Sequence, residues 1–317
     1  MTHPKVDAVV IGRNEGARLI TCLGSVKSQV RRMIYVDSGS SDGSVEAARH
    51  AGAQVLVLDL SVPFTAARAR NVGWKSLSEN PPDFVQFIDG DCELQPGWVP
   101  AALEKMASNP LAAVVCGRRR ERWPQKSIYN GLIDLEWDTP VGQAKACGGD
   151  ALIRYAALAA AGGYRDDLIA GEEPELCLRL RQAGGEIWRI DAEMTLHDAA
   201  LTRFSQWWRR ARRAGFAFAE GAALHGEGPD RHWVRETRRA LFWGALLPVA
   251  IVLGALAFPV LWFALLVYPI QIVRLSKRGG LLWGAFTVLG KFPEAVGALE
   301  YYIRRLADRR RGLIEYK

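Results

Sequence analysis

The first two hundred residues alternate between short apolar segments and longer segments with helical periodicity. β-Branched and apolar residues dominate the short segments, which predict strands at residues 6–11, 33–36, 54–58 and 84–88. Between them, the spacing of apolar residues predicts helices at residues 45–51 and 65–77. Strands that alternate with helices form parallel sheets with helices on their faces. The predicted fold class is therefore α/β, with a doubly wound and mostly parallel sheet.

Two carboxylates flank a glycine directly after the predicted strand at residues 84–88. Asp89 and Asp91 would lie at the carboxyl edge of the sheet, where open α/β sheets bind ligands. Two hard oxygen donors suit Mg²⁺ or Mn²⁺, which can hold a diphosphate. Taken alone, these acids also fit an acidic turn. His197, after a strand-like segment at residues 186–190, is either a third metal ligand or a structural histidine.

Polar residues also lie at the edges of other predicted elements. Asp37 ends the second strand, where it could accept a hydrogen bond from a nucleobase or stabilise a turn. Near the start of the next helix are Arg68, Arg70 and Asn71. The planar guanidinium group of arginine matches the oxygens of a phosphate, so these residues could bind the cofactor. The alternative is that the arginines are solvated on the helix surface. The acidic and glycine-rich loops that follow the strands all fall on one edge, which predicts a single site.

Acidic residues open a further predicted helix. Glu172 and Glu173 follow Gly171, and they fall in the first helical turn. Acids at this position complement the helix dipole, which is a purely structural interpretation. The functional hypothesis is that one of the two glutamates projects into the cleft as a general base.

Charge and hydropathy change after residue 202. Residues 1–202 carry 22 Lys/Arg against 26 Asp/Glu, whereas residues 203–317 carry 19 against 8, a net charge of +11. Within this basic part, no charged residue occurs from 241 to 273, and arginines lie on both sides of the run. Positive charge at both ends favours a short membrane hairpin or a re-entrant pair of helices. A buried helical pair is the alternative, and nucleic-acid binding is not expected.

These changes predict four regions. Residues 1–202 form the catalytic domain, residues 203–240 basic interfacial helices, residues 241–274 the membrane hairpin or re-entrant helices, and residues 275–317 an amphipathic basic tail. Five dispersed cysteines without a C-x-x-C pair indicate reduced thiols, and no signal-peptide pattern precedes the first strand. We therefore expect the catalytic domain on the cytoplasmic side of the cell inner membrane.

In combination, the motifs resemble those of the inverting family 2 glycosyltransferases, which have the GT-A fold. The matching segments occur in the family's order over about residues 5–200: Val9-Val10-Ile11-Gly12-Arg13-Asn14-Glu15, Val36-Asp37-Ser38-Gly39-Ser40-Ser41-Asp42-Gly43-Ser44, Ala69-Arg70-Asn71-Val72-Gly73, Ile88-Asp89-Gly90-Asp91, Gly162-Gly163-Tyr164 and Gly171-Glu172-Glu173.

The resemblance implies a role for each matching residue. Glu15 and Asp37 would help to hold the nucleotide, and Asp89 would face the ribose or the metal. Asp91 would ligate the metal, and His197 would complete its ligands. The family's base is usually the aspartate of a Glu-Asp pair. In this chain the corresponding residue is Glu173, with Glu172 as the alternative.

One family motif is altered in this chain. Processive members carry Gln-x-x-Arg-Trp, whereas here Gln206-Trp207-Trp208-Arg209-Arg210 has arginine in place of the last tryptophan. This difference argues against processive polymer synthesis. The tryptophans and arginines predict an interfacial helix that meets lipid headgroups, with a helix packed on the core as the alternative.

The expected activity is inverting, metal-dependent transfer of one sugar from a nucleotide-diphosphate sugar. The expected acceptor is a polyprenyl-diphosphate-linked saccharide, as in the assembly of a bacterial surface exopolysaccharide. Transfer to polyprenyl phosphate itself is the main rival within the enzyme class, followed by a nucleotidyltransferase. A catalytically silent membrane scaffold with a nucleotide pocket is the rival from another class.

Overall fold

The computed structural model describes residues 4–307, and the chain divides between Ala200 and Leu201 into two compact units. The first unit is an α/β structure. Its strands are β1 (Val6–Gly12), β2 (Arg32–Asp37), β3 (Gln54–Val57), β4 (Phe84–Asp89), β5 (Cys92–Leu94), β6 (Ala112–Glu121), β7 (Gly142–Ala144), β8 (Ala151–Arg154) and β9 (Glu186–His197). Its helices are α1 (Ala17–Lys27), α2 (Ser44–His50), α3 (Ala66–Lys75), α4 (Trp98–Ser108), α5 (Ile128–Trp137), α6 (Tyr155–Ala160) and α7 (Glu172–Gln182), with a 3₁₀ turn at Pro124–Lys126.

The nine strands found in the described residues form one sheet in the order β3-β2-β1-β4-β8-β6-β9-β5, and β7 pairs with β9. Strands β1 to β4, β6 and β9 run in one direction, while β5, β7 and β8 run against them. The predicted mostly parallel α/β sheet is therefore confirmed. The antiparallel insertion of β8 between β4 and β6 was not predicted.

The register of the central strands brings the predicted site residues to one edge. Gly12 at the end of β1 pairs with Asp37 of β2, and Ile11 pairs with Asp89 of β4. The apolar residues of β4 are buried, which fixes the strand between β1 and β8. Strand β9 is longer than predicted: it continues past residue 190 to His197, which pairs with Cys92 of β5. His197 is therefore a strand residue and does not lie in a loop.

The second unit is helical. Its elements are α8 (Phe204–His225), α9 (Val234–Leu241), a π-helical turn at Phe242–Leu246, α10 (Leu247–Ala257), a 3₁₀ helix at Pro259–Leu266, α11 (Val267–Leu289) and α12 (Lys291–Leu306). Helix α11 is kinked at Gly279 and Gly280. Two helical stretches, Val234–Ala257 and Pro259–Leu306, are long and apolar enough to cross a membrane, by length and composition alone.

Helices α8 and α12 cross with their backbones in contact. A Cβ atom added at Gly297 would overlap the carbonyl oxygen of Arg212, and one at Gly215 would overlap that of Glu294. Beside the crossing, the guanidinium of Arg212 donates a 2.8 Å hydrogen bond from Nε to Glu300. The amphipathic segment predicted at residues 292–303 is thus part of a helix that is packed along one side.

We expect Gly297→Ala to destabilise the second unit, because its methyl group has no space beside Arg212. Overpacking of this kind costs about 1–3 kcal/mol. Denaturant unfolding in detergent, followed by circular dichroism, measures the loss. Gly24→Ala in α1 is the control, because a Cβ there meets nothing within 4 Å. Alanine should stabilise that helix by up to about 1 kcal/mol. A Gly297→Ala protein as stable as the wild type would contradict the close crossing.

Candidate active site

The Asp89-Gly90-Asp91 turn is fixed to the neighbouring strands. The N–H of Asp89 donates a 3.0 Å hydrogen bond to Oδ1 of Asp150, and the N–H of Gly90 donates a 2.8 Å bond to the carbonyl of Ile11. A side chain at position 90 would crowd that same carbonyl, since an added Cβ lies only 3.1 Å from it. The turn therefore holds both carboxylates at the carboxyl edge of the sheet.

Arg70 connects three of the candidate carboxylates. This side chain is almost fully buried in α3, and its guanidinium lies 2.9 Å from each of Asp89, Glu172 and Glu173. Burial opposes the charge, but Glu173, Asp89 and Glu172 together raise the pKa of Arg70 well above its ordinary value. Arg70 therefore pairs with three acids of the protein, and its predicted contact with phosphate stays a prediction.

Asp89 has a second cationic neighbour, which the sequence did not single out. Arg119 of β6 lies 3.4 Å from Asp89 and 3.6 Å from Asp150, and its guanidinium sits over the ring of Trp137. Burial raises the pKa of Asp89, but Arg70 and Arg119 outweigh it and hold the value below the ordinary range. Asp89 is therefore ionised at neutral pH.

Gly149 was the sequence signal for this missed cluster. A Cβ at Gly149 would lie 2.7 Å from Oδ2 of Asp89 and 2.8 Å from a guanidinium nitrogen of Arg70. Any larger residue there would have to displace one of these charged groups. The segment Gly148-Gly149-Asp150 therefore belongs to the site.

Asp91 and His197 form a second group of donors. Both are buried, and Nε2 of His197 lies 3.1 Å from Oδ2 of Asp91. Behind the ring, Nδ1 of His197 lies 3.9 Å from a carboxylate oxygen of Glu121, and Trp137 packs edge-on at 4.9 Å. A carboxylate behind a ligating imidazole orients its ring in many metal sites.

These donors fit a divalent cation. Two adjacent ligands, each about 2.1 Å from an ion and at right angles, lie about 3 Å apart, as Asp91 and His197 do. The thiol of Cys92 is also close to Asp91 and His197, and burial raises its pKa well above the ordinary value. Asp89 belongs to a different cluster, with Cys92 and Asp150. The structure thus brings the predicted ligands Asp91 and His197 together and pairs Asp89 with arginines.

Glu172 and Glu173 start α7 as predicted, after Gly171 in the left-handed region. The side chain of Glu172 is 5% exposed and that of Glu173 is 14% exposed. Burial and the neighbouring Glu172 raise the pKa of Glu173 to about 7, although Arg70 opposes the shift. A carboxylate that titrates near neutral pH and reaches solvent suits a general base.

Three other predicted residues lie nearby with contacts of their own. Asp37 stabilises its turn by accepting 2.9 Å hydrogen bonds from the N–H groups of Gly39 and Ser40. Glu15 forms an ion pair of 2.6 Å with Arg18. Arg68 donates to the carbonyls of Asp59 and Val62, and it does not join the acidic cluster around Arg70.

Asn71 has a structural role in place of the predicted cofactor contact. Its amide nitrogen donates to the carbonyl of Tyr164 at 2.7 Å and to Asp166 at 2.6 Å. Its amide oxygen accepts from Nε1 of Trp74 at 2.8 Å and from the N–H of Tyr164 at 2.9 Å. Two donors and two acceptors exhaust the hydrogen-bonding capacity of an asparagine side chain.

A cavity of ≈190 Å³ opens against Asp91. Its polar wall includes Arg18, Thr21, Arg122 and Asp198. The cavity gives small polar molecules a route to Asp91, although that carboxylate is only 5% exposed.

This sheet, with acidic clusters at its carboxyl edge, is a GT-A fold. Residues 7–153, somewhat less than half of the chain, match the family described as glycosyl transferase family 2. The family and fold predicted from the motifs are confirmed. A mannosyltransferase, PcManGT from Pyrobaculum calidifontis, solved with GDP-Man and Mn²⁺, aligns with a TM-score of 0.65. The alignment covers 94% of this chain and 88% of that chain at 20% identity, which is a likeness of fold alone.

Curated relatives are similar to part of the chain. The pre-mycofactocin glycosyltransferase of Mycobacterium tuberculosis is 27% identical over 246 residues, covering 73% of this chain and 49% of that protein. An uncharacterized glycosyltransferase of Rickettsia felis is 38% identical over 92 residues, covering 28% of this chain and 30% of that protein. The chain spans about half the length of the first of these relatives and less than a third of the second.

We expect Asn71→Ala to lower stability by about 3 kcal/mol, because it leaves buried partners on Tyr164, Trp74 and Asp166 without hydrogen bonds. The folded protein should keep its affinity for nucleotide. Asn80→Ala is the matched control: this exposed residue accepts one 3.2 Å bond from Arg31, and its loss should cost less than about 0.5 kcal/mol. Denaturant unfolding and nucleotide titration measure both effects. Weaker nucleotide binding at unchanged stability would contradict the structural role.

Proposed function

We propose that this protein is an inverting, metal-dependent glycosyltransferase that moves one sugar from a nucleotide-diphosphate sugar to a lipid-linked saccharide. The observation that carries the proposal is the division of acids at one sheet edge. Asp91 and His197 form a donor pair that suits a metal, while Glu173 titrates near neutral pH beside Arg70. Transfer of a sugar needs both a stabilised leaving group and a base for the incoming hydroxyl.

Asp91 and His197 would hold Mg²⁺ or Mn²⁺. When bound, such an ion supplies positive charge that stabilises the departing diphosphate. Glu121 lies 3.9 Å from Nδ1 of His197, on the opposite side of the ring from Asp91. The solved mannosyltransferase of similar fold contains Mn²⁺ and GDP-Man, which supports the same class of donor here. Glu15 and Asp37, at the ends of β1 and β2, are the residues we propose to lie along the nucleotide.

Glu173 is the proposed base. Its carboxylate takes the proton of the acceptor hydroxyl while the oxygen forms a bond to the anomeric carbon. The bond from that carbon to the diphosphate oxygen breaks, and the configuration inverts. Arg70 lies 2.9 Å from both Glu172 and Glu173, so it fixes their positions as a positioning residue. Glu172 is the less exposed of the two and remains the alternative base.

The acceptor is proposed from the second unit. Exposed apolar residues from Leu246 to Val273, with arginines before and after them, favour a location at an anionic membrane. A polyprenyl-diphosphate-linked saccharide, on the cytoplasmic side of the cell inner membrane, would fit an enzyme of surface polysaccharide assembly. Radiolabelled transfer to such an acceptor would support the proposal. Product on bare polyprenyl phosphate would indicate the rival reaction.

The donor is tested by a survey of nucleotide-diphosphate sugars for metal-dependent thermal stabilisation. We expect at least one donor to raise the melting temperature with Mg²⁺ or Mn²⁺ present, and a chelator to abolish the shift. A ligand present at about 100 times its Kd stabilises by about 2.7 kcal/mol. Asp91→Ala should remove the shift, whereas Asp191→Ala, an exposed aspartate on β9, should retain it. The proposal fails if no donor is stabilising, or if Asp91→Ala responds like the wild type.

The base is tested by its pH dependence. Only the ionised form of Glu173 can accept a proton, and its pKa is about 7. The value of kcat/KM should therefore rise about tenfold per pH unit below 7 and level off above it. Glu173→Gln should lower the rate about 10²- to 10⁴-fold. Glu172→Gln should keep activity and shift the inflection to lower pH, because Glu172 raises the pKa of Glu173. Complete loss of activity in Glu172→Gln, with turnover retained in Glu173→Gln, would identify Glu172 as the base in place of Glu173.

A further inference from the structure

An apolar hairpin occupies residues 244–267 of the second unit, and it turns at Phe258 and Pro259. A row of large apolar side chains along it is more than half exposed: Leu246, Val249, Leu253, Leu256, Phe258, Val260, Phe263 and Leu266. Contiguous exposed apolar surface on this scale indicates contact with lipid or with another protein. No charged residue occurs between Leu241 and Val273, which favours lipid.

Two backbone hydrogen bonds lie at the turn of the hairpin. The N–H of Phe258 donates a 2.8 Å bond to the carbonyl of Gly254, and the N–H of Leu261 donates a 2.9 Å bond to the carbonyl of Phe258. Pro259 has no N–H group, and a 3₁₀ helix follows directly at Pro259–Leu266. Backbone groups in hydrocarbon have no water to pair with, so each hydrogen bond made within the chain lowers the cost of placing the turn there.

The base of the hairpin is aromatic and polar. The hydroxyl of Tyr268 donates a 2.8 Å bond to the carbonyl of Trp243, and the ring of Tyr268 stacks on Phe292. Gly244 lies against the backbone of Lys291, whose ammonium is paired with Glu294. Tryptophan and tyrosine concentrate where a membrane meets water. The level of Trp243, Tyr268 and Lys291 therefore marks the membrane–water boundary.

The distance from this base to the turn is too short to cross a bilayer. From Gly244 to Ala257 the chain makes 14 residues of helix, a length of about 20 Å. The return from Pro259 to Val267 is nine residues, mostly 3₁₀, or about 18 Å. The hydrocarbon core is about 30 Å thick. A hairpin of this length reaches beyond the bilayer centre but does not reach the far headgroups.

We infer that the apolar hairpin enters the bilayer from one face and returns to that face, with Phe258 and Pro259 inside the hydrocarbon. This inference rests on the membrane association proposed above and specifies its topology. Both basic flanks then lie on one side of the membrane: Arg235, Arg238 and Arg239 before the hairpin, and Arg274, Lys277 and Arg278 after it. Each flank can meet the same layer of anionic headgroups.

Cysteine labelling of the full chain tests the topology. The protein is reconstituted in sealed vesicles of phosphatidylethanolamine and phosphatidylglycerol, and it is treated with a membrane-impermeant maleimide outside or trapped inside. Glu227→Cys and Lys277→Cys, both at exposed positions, should be labelled from the same side. Phe258→Cys should be protected from both sides until detergent is added, after subtraction of the wild-type background. Labelling of Phe258→Cys from the side opposite to the other two would overturn the inference.

A charge at the turn provides the second test. Val260→Asp would place a carboxylate in hydrocarbon, so vesicle flotation should weaken at least tenfold. Val57→Asp is the matched control, a similarly exposed valine of β3, and it should float like the wild type. Undiminished binding of Val260→Asp would mean that the turn reaches water, against the inference. If the wild-type protein does not float with the vesicles, that result would instead contradict the proposed membrane association itself. Neither readout depends on sugar transfer.

Discussion

The site depends on one buried guanidinium. Arg70 reaches from α3 to a carboxylate at the end of β4 and to two more at the start of α7, the first of which is 102 residues away in sequence. An isolated charge in this position would cost several kcal/mol, and so would each of its unpaired acids. The ion pairs of Arg70 with all three acids connect α7 to the carboxyl edge of the sheet. The family 2 motifs around Arg70, Asp89 and Glu172 thus describe one electrostatic unit.

The unit also separates the acids by their pKa values. Asp89 has two arginines and a lowered pKa, while Glu173 shares one arginine with Glu172 and has a pKa raised to about 7. Carboxylates whose environments push their pKa values apart can take different chemical roles. The proposed base is thus distinguished by the number of its cationic neighbours. The donor pair of Asp91 and His197 lies outside this unit, where the proposed metal would not compete with Arg70.

Local patterns were enough to predict β1 to β4, the first part of β9, the mostly parallel sheet and the edge at which Asp37, Asp89 and Asp91 lie. They were also enough to place Glu172 and Glu173 at the start of a helix. Strands and helix starts both depend mainly on residues that are close in sequence. Side-chain partners were not predictable. Arg119, Asp150 and Glu121 reach the site only through the β8 insertion and the pairing of β6 with β9. For the same reason Asn71 was assigned to a cofactor, although its four hydrogen bonds are internal.

The second unit shows the same limit of local information. Hydropathy identified an uncharged run but left a spanning hairpin and a re-entrant pair equally open, because composition does not say where the run leaves the rest of the protein. The packing of the helices shows at which residues the run leaves the rest of the protein. The close contact of Gly244 with Lys291 and the bond from Tyr268 to Trp243 fix the base beside charged groups, which leaves about 20 Å of free hairpin. In the proposed membrane location, glycines at helix contacts would set how deeply the hairpin inserts, and its apolar residues would determine only that it can do so.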